Sequence, residues 1–189
     1  MFNYFIKLVE FLRKGVIIML NSKKLGALMC KLLMRGGSKM SRYTAKDIAK
    51  WFLAENRYKM YDADSDYITH LKLQKLLYYA QGCYLAIKGV PLFDEDILAW
   101  THGPVVDEVY QEYKTYGSEP IIFDEDYNSE EIDKETQGIL KEVFDVFGQY
   151  SAWKLREMTH SETPWRETER NGIIDKEAIK DYFKKEYIE

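Results

Sequence analysis

The stretch from Ile68 to Gly89 constrains the fold more than any other part of the sequence. At about 100° per residue, Leu73, Leu76, Leu77, Ala80, Tyr84 and Ile87 fall on one broad apolar face, while Leu71, Tyr78 and Leu85, spaced by sevens, fall on the opposite side. Lys72 and Lys75 separate the faces on one flank; Gln74, Gln81 and Lys88 separate them on the other. Gly89 supplies the stop, because a residue without Cβ takes left-handed backbone at little cost. A helix apolar on two faces is central to a bundle, or lends its second face to another protein. The core is the expected destination of the Leu71/Tyr78/Leu85 stripe.

The flanking segments supply helices to wrap it. Thr44 and Asp47 form a helix start, and Ile48 and Phe52 follow at helical spacing until the pattern fades near Asn56. Leu140, Val143, Phe144 and Phe147 mark a helix ended by Gly148. Ser151 caps a shorter one through Leu155 and Met158, residues 159–165 make a turn, and Asp175 caps a last helix with Ile179, Tyr182 and Phe183 inward. Between these, Ile97 to Trp100 reads as a short strand with Pro120 to Phe123 as its partner. Gly103-Pro104 breaks the backbone and leads into a helix carrying Val105, Val106, Val109, Tyr110 and Tyr113, ended by Gly117. The expected fold is mainly α, a compact single-domain bundle of about six helices with at most a small β-hairpin.

Charge divides the chain. Residues 1–40 hold eight basic residues against the single acid Glu10, whereas the remainder is net −11. Residues 1–39 are therefore read as a basic extension and residues 40–189 as the domain. The extension has three readings: an arm for a membrane surface or acidic partner, an added helical hairpin, or a mis-started upstream segment. The last rests on Arg35-Gly36-Gly37, whose codons can contain a ribosome-binding sequence, just ahead of Met40. The run Val16 to Leu20 is far shorter than the ~20 residues that span a bilayer, and no signal-peptide cleavage pattern follows it. With only Cys30 and Cys83 and no CxxC, disulfides are not expected. These features place the chain in the cytoplasm.

Catalytic and metal patterns are sparse. His70, His102 and His160 have no metal-ligand spacing to one another or to cysteine, and no Walker, dinucleotide or nucleophile-elbow motif occurs. Asp62, Asp64 and Asp66 alternate as in an EF-hand, but Tyr67 and Leu73 occupy its glycine and glutamate positions, so a solvated acidic loop is expected. His160 and Glu162 could form an acid–base pair; a turn-stabilising hydrogen bond is the plainer reading. No cofactor or metal is expected, and the acidic domain argues against a nucleic-acid partner.

Three ordered blocks resemble the Panacea domain of SocA-like and phage-associated GepA-like proteins. They are Leu71 to Gly82; Pro91 to Glu95 continuing through Trp100, Gly103, Pro104, Val105, Val106 and Tyr110; and Leu155 through His160 to Pro164 and Trp165. The resemblance covers residues 43–186, with Cys83 standing where the family often has an aromatic. It implies a non-enzymatic antitoxin whose partner is a cognate toxin, commonly encoded by the adjacent gene. It also implies that some members act as adaptors delivering the toxin to a Clp-type protease. Leu71, Leu73, Leu76, Trp100, His102, Gly103, Pro104, Val105, Tyr110, His160, Pro164 and Trp165 are then motif residues with a structural role. Lys72, Gln74, Lys75, Tyr78 and Gln81 are the candidate toxin contacts, on the expectation that a polar flank is exposed. The alternatives are an enzyme built on His102, His160 and Glu162, and a DNA-associated regulator.

Overall fold

The computed structural model describes residues 43–60, 67–123, 127 and 131–188, with side chains of 43–57 in the first stretch. The basic extension, Cys30 and the acidic loop at 62–66 lie outside these residues. The described chain is mainly helical, with one two-stranded antiparallel sheet.

Helix α1 (Ala45–Met60) starts on a reciprocal cap. The Asp47 N–H donates to Thr44 Oγ1 at 3.2 Å, while Asp47 Oδ2 accepts from the Thr44 N–H at 2.9 Å. The helix runs past the expected end at Asn56, because Arg57 to Met60 contain no glycine or proline to stop it. Helix α2 (His70–Lys88) is capped by Thr69, whose hydroxyl accepts from the Lys72 N–H at 3.3 Å. It ends at Gly89, at φ 74°, whose N–H donates to Leu85 O.

Strands β1 (Leu98–Trp100) and β2 (Gly103–Val105) form a hairpin with Leu98 opposite Val105 and Trp100 opposite Gly103. This corrects the expected pairing of β1 with residues 120–123. The outer edge of β1 is taken instead by the chain before the last helix, through Ala99 N–H to Gly172 O and Ile174 N–H to Ile97 O. The Ile121 N–H donates to Ile68 O, in front of α2. Gly103-Pro104 is likewise in a strand and not at a helix entry; a two-stranded sheet has only edges, where the missing proline N–H does no harm.

Helix α3 (Asp107–Tyr113) begins after Val106 and passes into a tight turn, Lys114–Tyr116. Helix α4 (Lys134–Phe147) is capped by Asp133, which also accepts from the Tyr43 hydroxyl at 2.7 Å. Helix α5 (Ala152–Ser161) is capped by Ser151. One-turn helix α6 (Thr163–Arg166) stands where the sequence suggested a turn, with Pro164 in its first turn, where no N–H is needed. Helix α7 (Lys176–Phe183), capped by Asp175, is followed by a wide final turn, Lys184–Ile188.

Helix α2 is the axis of the core. Helices α1, α4, α5 and α7 and the hairpin all pack on it. Tyr78 and Leu85 of its second stripe are buried and Leu71 is half-buried, so that stripe belongs mainly to the core. Tyr79 stacks on Phe147 with ring centroids 3.8 Å apart, and Gly82 makes room for Phe183, whose ring atoms lie 2.5 Å from where a Cβ would stand.

Candidate functional site

The polar residues of α2 face inward. Lys72, Gln74, Lys75, Tyr78 and Gln81 are each at most 2% exposed, which corrects the expectation of an exposed flank. The reason lies in loops distant in sequence, whose backbone groups are buried against this helix and require partners. Gln81 Oε1 accepts from the N–H groups of Leu92 (2.9 Å) and Phe93 (3.3 Å), and its amide donates to Phe93 O (3.0 Å). Gln74 Oε1 accepts from the Val106 N–H at 2.7 Å, and its amide donates to Val106 O at 3.4 Å. Lys75 Nζ donates to Pro104 O at 2.8 Å. These side chains substitute for secondary structure, fastening residues 92–93 and 104–106 to α2.

Lys75 also organises the hairpin tip. A Cβ on Gly103 would lie 2.8 Å from both Lys75 Nζ and Thr159 Oγ1, and Gly103 sits at φ 97°, so only glycine suits the position. Burial, and then the Arg156 guanidinium, push the Lys75 ammonium down to about 7. His160 is held below its ordinary value by burial first, then by Arg156, Lys75 and His102. His70 is lowered by burial and then by Lys75. These basic groups therefore share one locality, in which Arg156 disfavours the charged forms of Lys75 and His160, and Lys75 those of His70 and His160.

Aromatic rings surround this locality. His160 stacks on Trp165 at 3.8 Å and 8°, Trp165 Nε1 donates to Trp100 O at 3.1 Å, and Trp100 meets Tyr110 edge-on at 4.9 Å. Trp100 and Trp165 are half-buried, with His102 exposed beside them. On α5, Trp153, Arg156 and His160 follow one helical face; Arg156 stands over the Trp153 ring at 4.8 Å, and Trp153 is 58% exposed. Arg170 donates to the Thr101 hydroxyl at the hairpin tip.

Glu162 faces elsewhere. Its Oε1 accepts from the hydroxyls of Tyr79 and Tyr187, both at 2.9 Å, with Tyr78 beside it. Burial raises its carboxyl above the ordinary range, with the tyrosines acting in the opposite direction. No hydrogen bond joins His160 to Glu162 among the described residues, so the acid–base pair suggested by their spacing does not form. His102 acts on His160 electrostatically, as the smallest of the influences upon it. Among the described residues no three His, Cys, Asp or Glu side chains are grouped to hold a metal ion, and no helix is long and apolar enough to cross a membrane.

The motif residues Trp100, His102, Gly103, Pro104, Tyr110, His160 and Trp165 thus come together around the hairpin, while Leu73 and Leu76 lie in the core. Trp153, Arg156 and Arg170 escaped the sequence reading. The i, i+3, i+7 spacing of Trp153, Arg156 and His160 was the available signal, and it carries weight only once α5 is known to expose Trp153 and to set Arg156 and His160 half-buried beside it.

Comparison with known proteins finds a family domain over part of the chain. The model of the SocA-like antitoxin Panacea domain matches residues 73–166, from the first turn of α2 to the end of α6. Antitoxin SocA from Caulobacter vibrioides (strain NA1000 / CB15N) is 46% identical over 55 residues. That match spans 29% of this chain and 29% of that protein. No solved structure gives a significant match.

Proposed function

Because residues 73–166 form a SocA-like Panacea domain, we propose that this chain is a non-enzymatic cytoplasmic antitoxin that neutralises a cognate toxin by binding it. The family match is the observation that carries the reading. The exposed Trp153 with half-buried Arg156 and His160 beside it, together with the hairpin tip, supports it: an aromatic and a guanidinium in contact are the residue types that dominate binding energy at protein interfaces. The remainder of the acidic domain suits a toxin with a basic site, since opposite charge steers encounter and excludes wrong partners. Gln74, Lys75 and Gln81 contribute as positioning residues, by fixing residues 92–93 and 104–106 to α2, and Lys72 and Tyr78 are buried in the same helix. Residues 40–189 carry the activity, and the basic extension is dispensable.

A toxicity rescue tests the proposal. The adjacent small open reading frame is expressed alone, with the full chain, and with residues 40–189. The expected result is growth arrest by the neighbour, relieved by either form, with the toxin intact and co-purifying. A harmless neighbour, or arrest relieved by neither form, overturns the antitoxin reading. Rescue with disappearance of the toxin in place of co-purification replaces sequestration by delivery to a protease.

A further inference from the structure

The domain carries a surplus of acid, yet basic side chains gather at its hairpin tip with no ion pair to a carboxylate among the described residues. Arg156, Lys75 and His102 all act electrostatically on His160, which stacks on Trp165 at the hairpin, Lys75 lies against Gly103, and Arg170 is held at Thr101. Arg156 Nε and His160 Nε2 are buried and have no hydrogen-bond partner among the described residues. The nearest buried acid, Glu162, is engaged with Tyr79 and Tyr187. Glu157, on the same helix, pairs with Lys154. Buried polar nitrogens without a hydrogen-bond partner, beside two arginines, leave a binding capacity that an incoming anion can fill.

We propose that the hairpin tip, bounded by His102, Arg156, His160 and Arg170, is the site where the toxin lodges a carboxylate side chain, an inference that rests on the antitoxin reading above. The surroundings fit such a group. The His160–Trp165 stack and the Trp153 ring under Arg156 exclude water from one side of the donors, which strengthens a charge-assisted hydrogen bond. A guanidinium presents paired donors that match the two oxygens of a carboxylate. A nucleic acid is a poorer occupant, because a polyanion reaching this spot would have to run along a domain that is net −11 beyond its first forty residues. A basic toxin carrying one acid at its contact surface meets attraction on both counts. The single acid then fixes the register of docking, whereas the diffuse acidic surface does not.

Two measurements on the full chain decide the matter. In the first, sodium acetate is titrated at constant ionic strength while the imidazole resonances of His102 and His160 are followed by NMR. Saturable shifts are expected in the wild type and should be abolished in the double variant Arg156→Gln/Arg170→Gln, whose Tm confirms that it folds. Absence of shifts, persistence of equal shifts in the variant, or a response to inorganic phosphate but not acetate overturns the proposal. In the second, affinity for the toxin identified by rescue is compared between the two forms. Loss of a charged partner at an interface predicts weakening by roughly tenfold to a thousandfold. Equal affinity overturns the carboxylate site and leaves the antitoxin reading intact. Failure of the wild-type chain to bind any such toxin overturns both.

Discussion

Replacing Gln81 by leucine tests the claim that the polar residues of α2 are structural. The substitution keeps approximate volume and removes three buried hydrogen bonds, from the N–H groups of Leu92 and Phe93 and to the Phe93 carbonyl. Leaving a buried backbone group unsatisfied costs about 1–3 kcal/mol, and three neighbouring groups that relax together should cost about 3–6 kcal/mol in all. That is a large share of the roughly 5–15 kcal/mol that stabilises a typical domain. The effect should extend to the start of α1, because the Tyr43 N–H donates to Leu92 O at 3.3 Å. Urea denaturation followed by circular dichroism reads it. With a slope of about 1–3 kcal/mol per molar, the midpoint should fall by roughly 1 M or more at unchanged slope. A fall equivalent to less than about 1 kcal/mol would refute the argument, since an exposed glutamine at this position would cost no more. Loss of toxin neutralisation in this variant should accompany loss of fold, which is the signature of a positioning residue and not of a contact.

Gly82→Ala should destabilise by about 1–3 kcal/mol through overpacking, because its methyl would meet the Phe183 ring; a lowered Tm that recovers in Gly82→Ala/Phe183→Leu would identify that contact as the cause. Glu162 should impose a pH dependence. Its folded-state pKa lies above the unfolded value, so its contribution is complete below the unfolded pKa and is lost as pH rises through the folded one. Stability measured relative to Glu162→Gln should therefore decline with rising pH across that window, with Tyr78, Tyr79, Cys83, Tyr182 and Tyr187 among the titratable groups around it. A flat or rising difference would show that the carboxyl is not held in a destabilised charged state.

Much of the local structure was legible because its causes are local. Thr44 with Asp47, Ser151, Asp175 and Gly89 each mark a helix boundary through hydrogen bonds or backbone freedom within a few residues, and each boundary appears where its marker stands. The two-faced character of α2 likewise announced a central helix, since apolar area on both sides has to be covered.

What depended on distant segments was not legible. Polarity alone sends Lys75, Gln74 and Gln81 to the surface. They are buried because carbonyl and amide groups at 92–93 and 104–106, brought in by the chain's return path, would otherwise lack partners. The partner of β1 was misread for the same reason, since strand pairing is settled by which segment reaches the edge. His160 and Glu162 are two residues apart, yet one stacks on Trp165 and the other accepts from Tyr79 and Tyr187. The sequence by itself determined which elements form and that α2 is their axis. Only the tertiary structure decided which side chains face outward, because that choice depends on the unmet charges and hydrogen bonds of segments far along the chain.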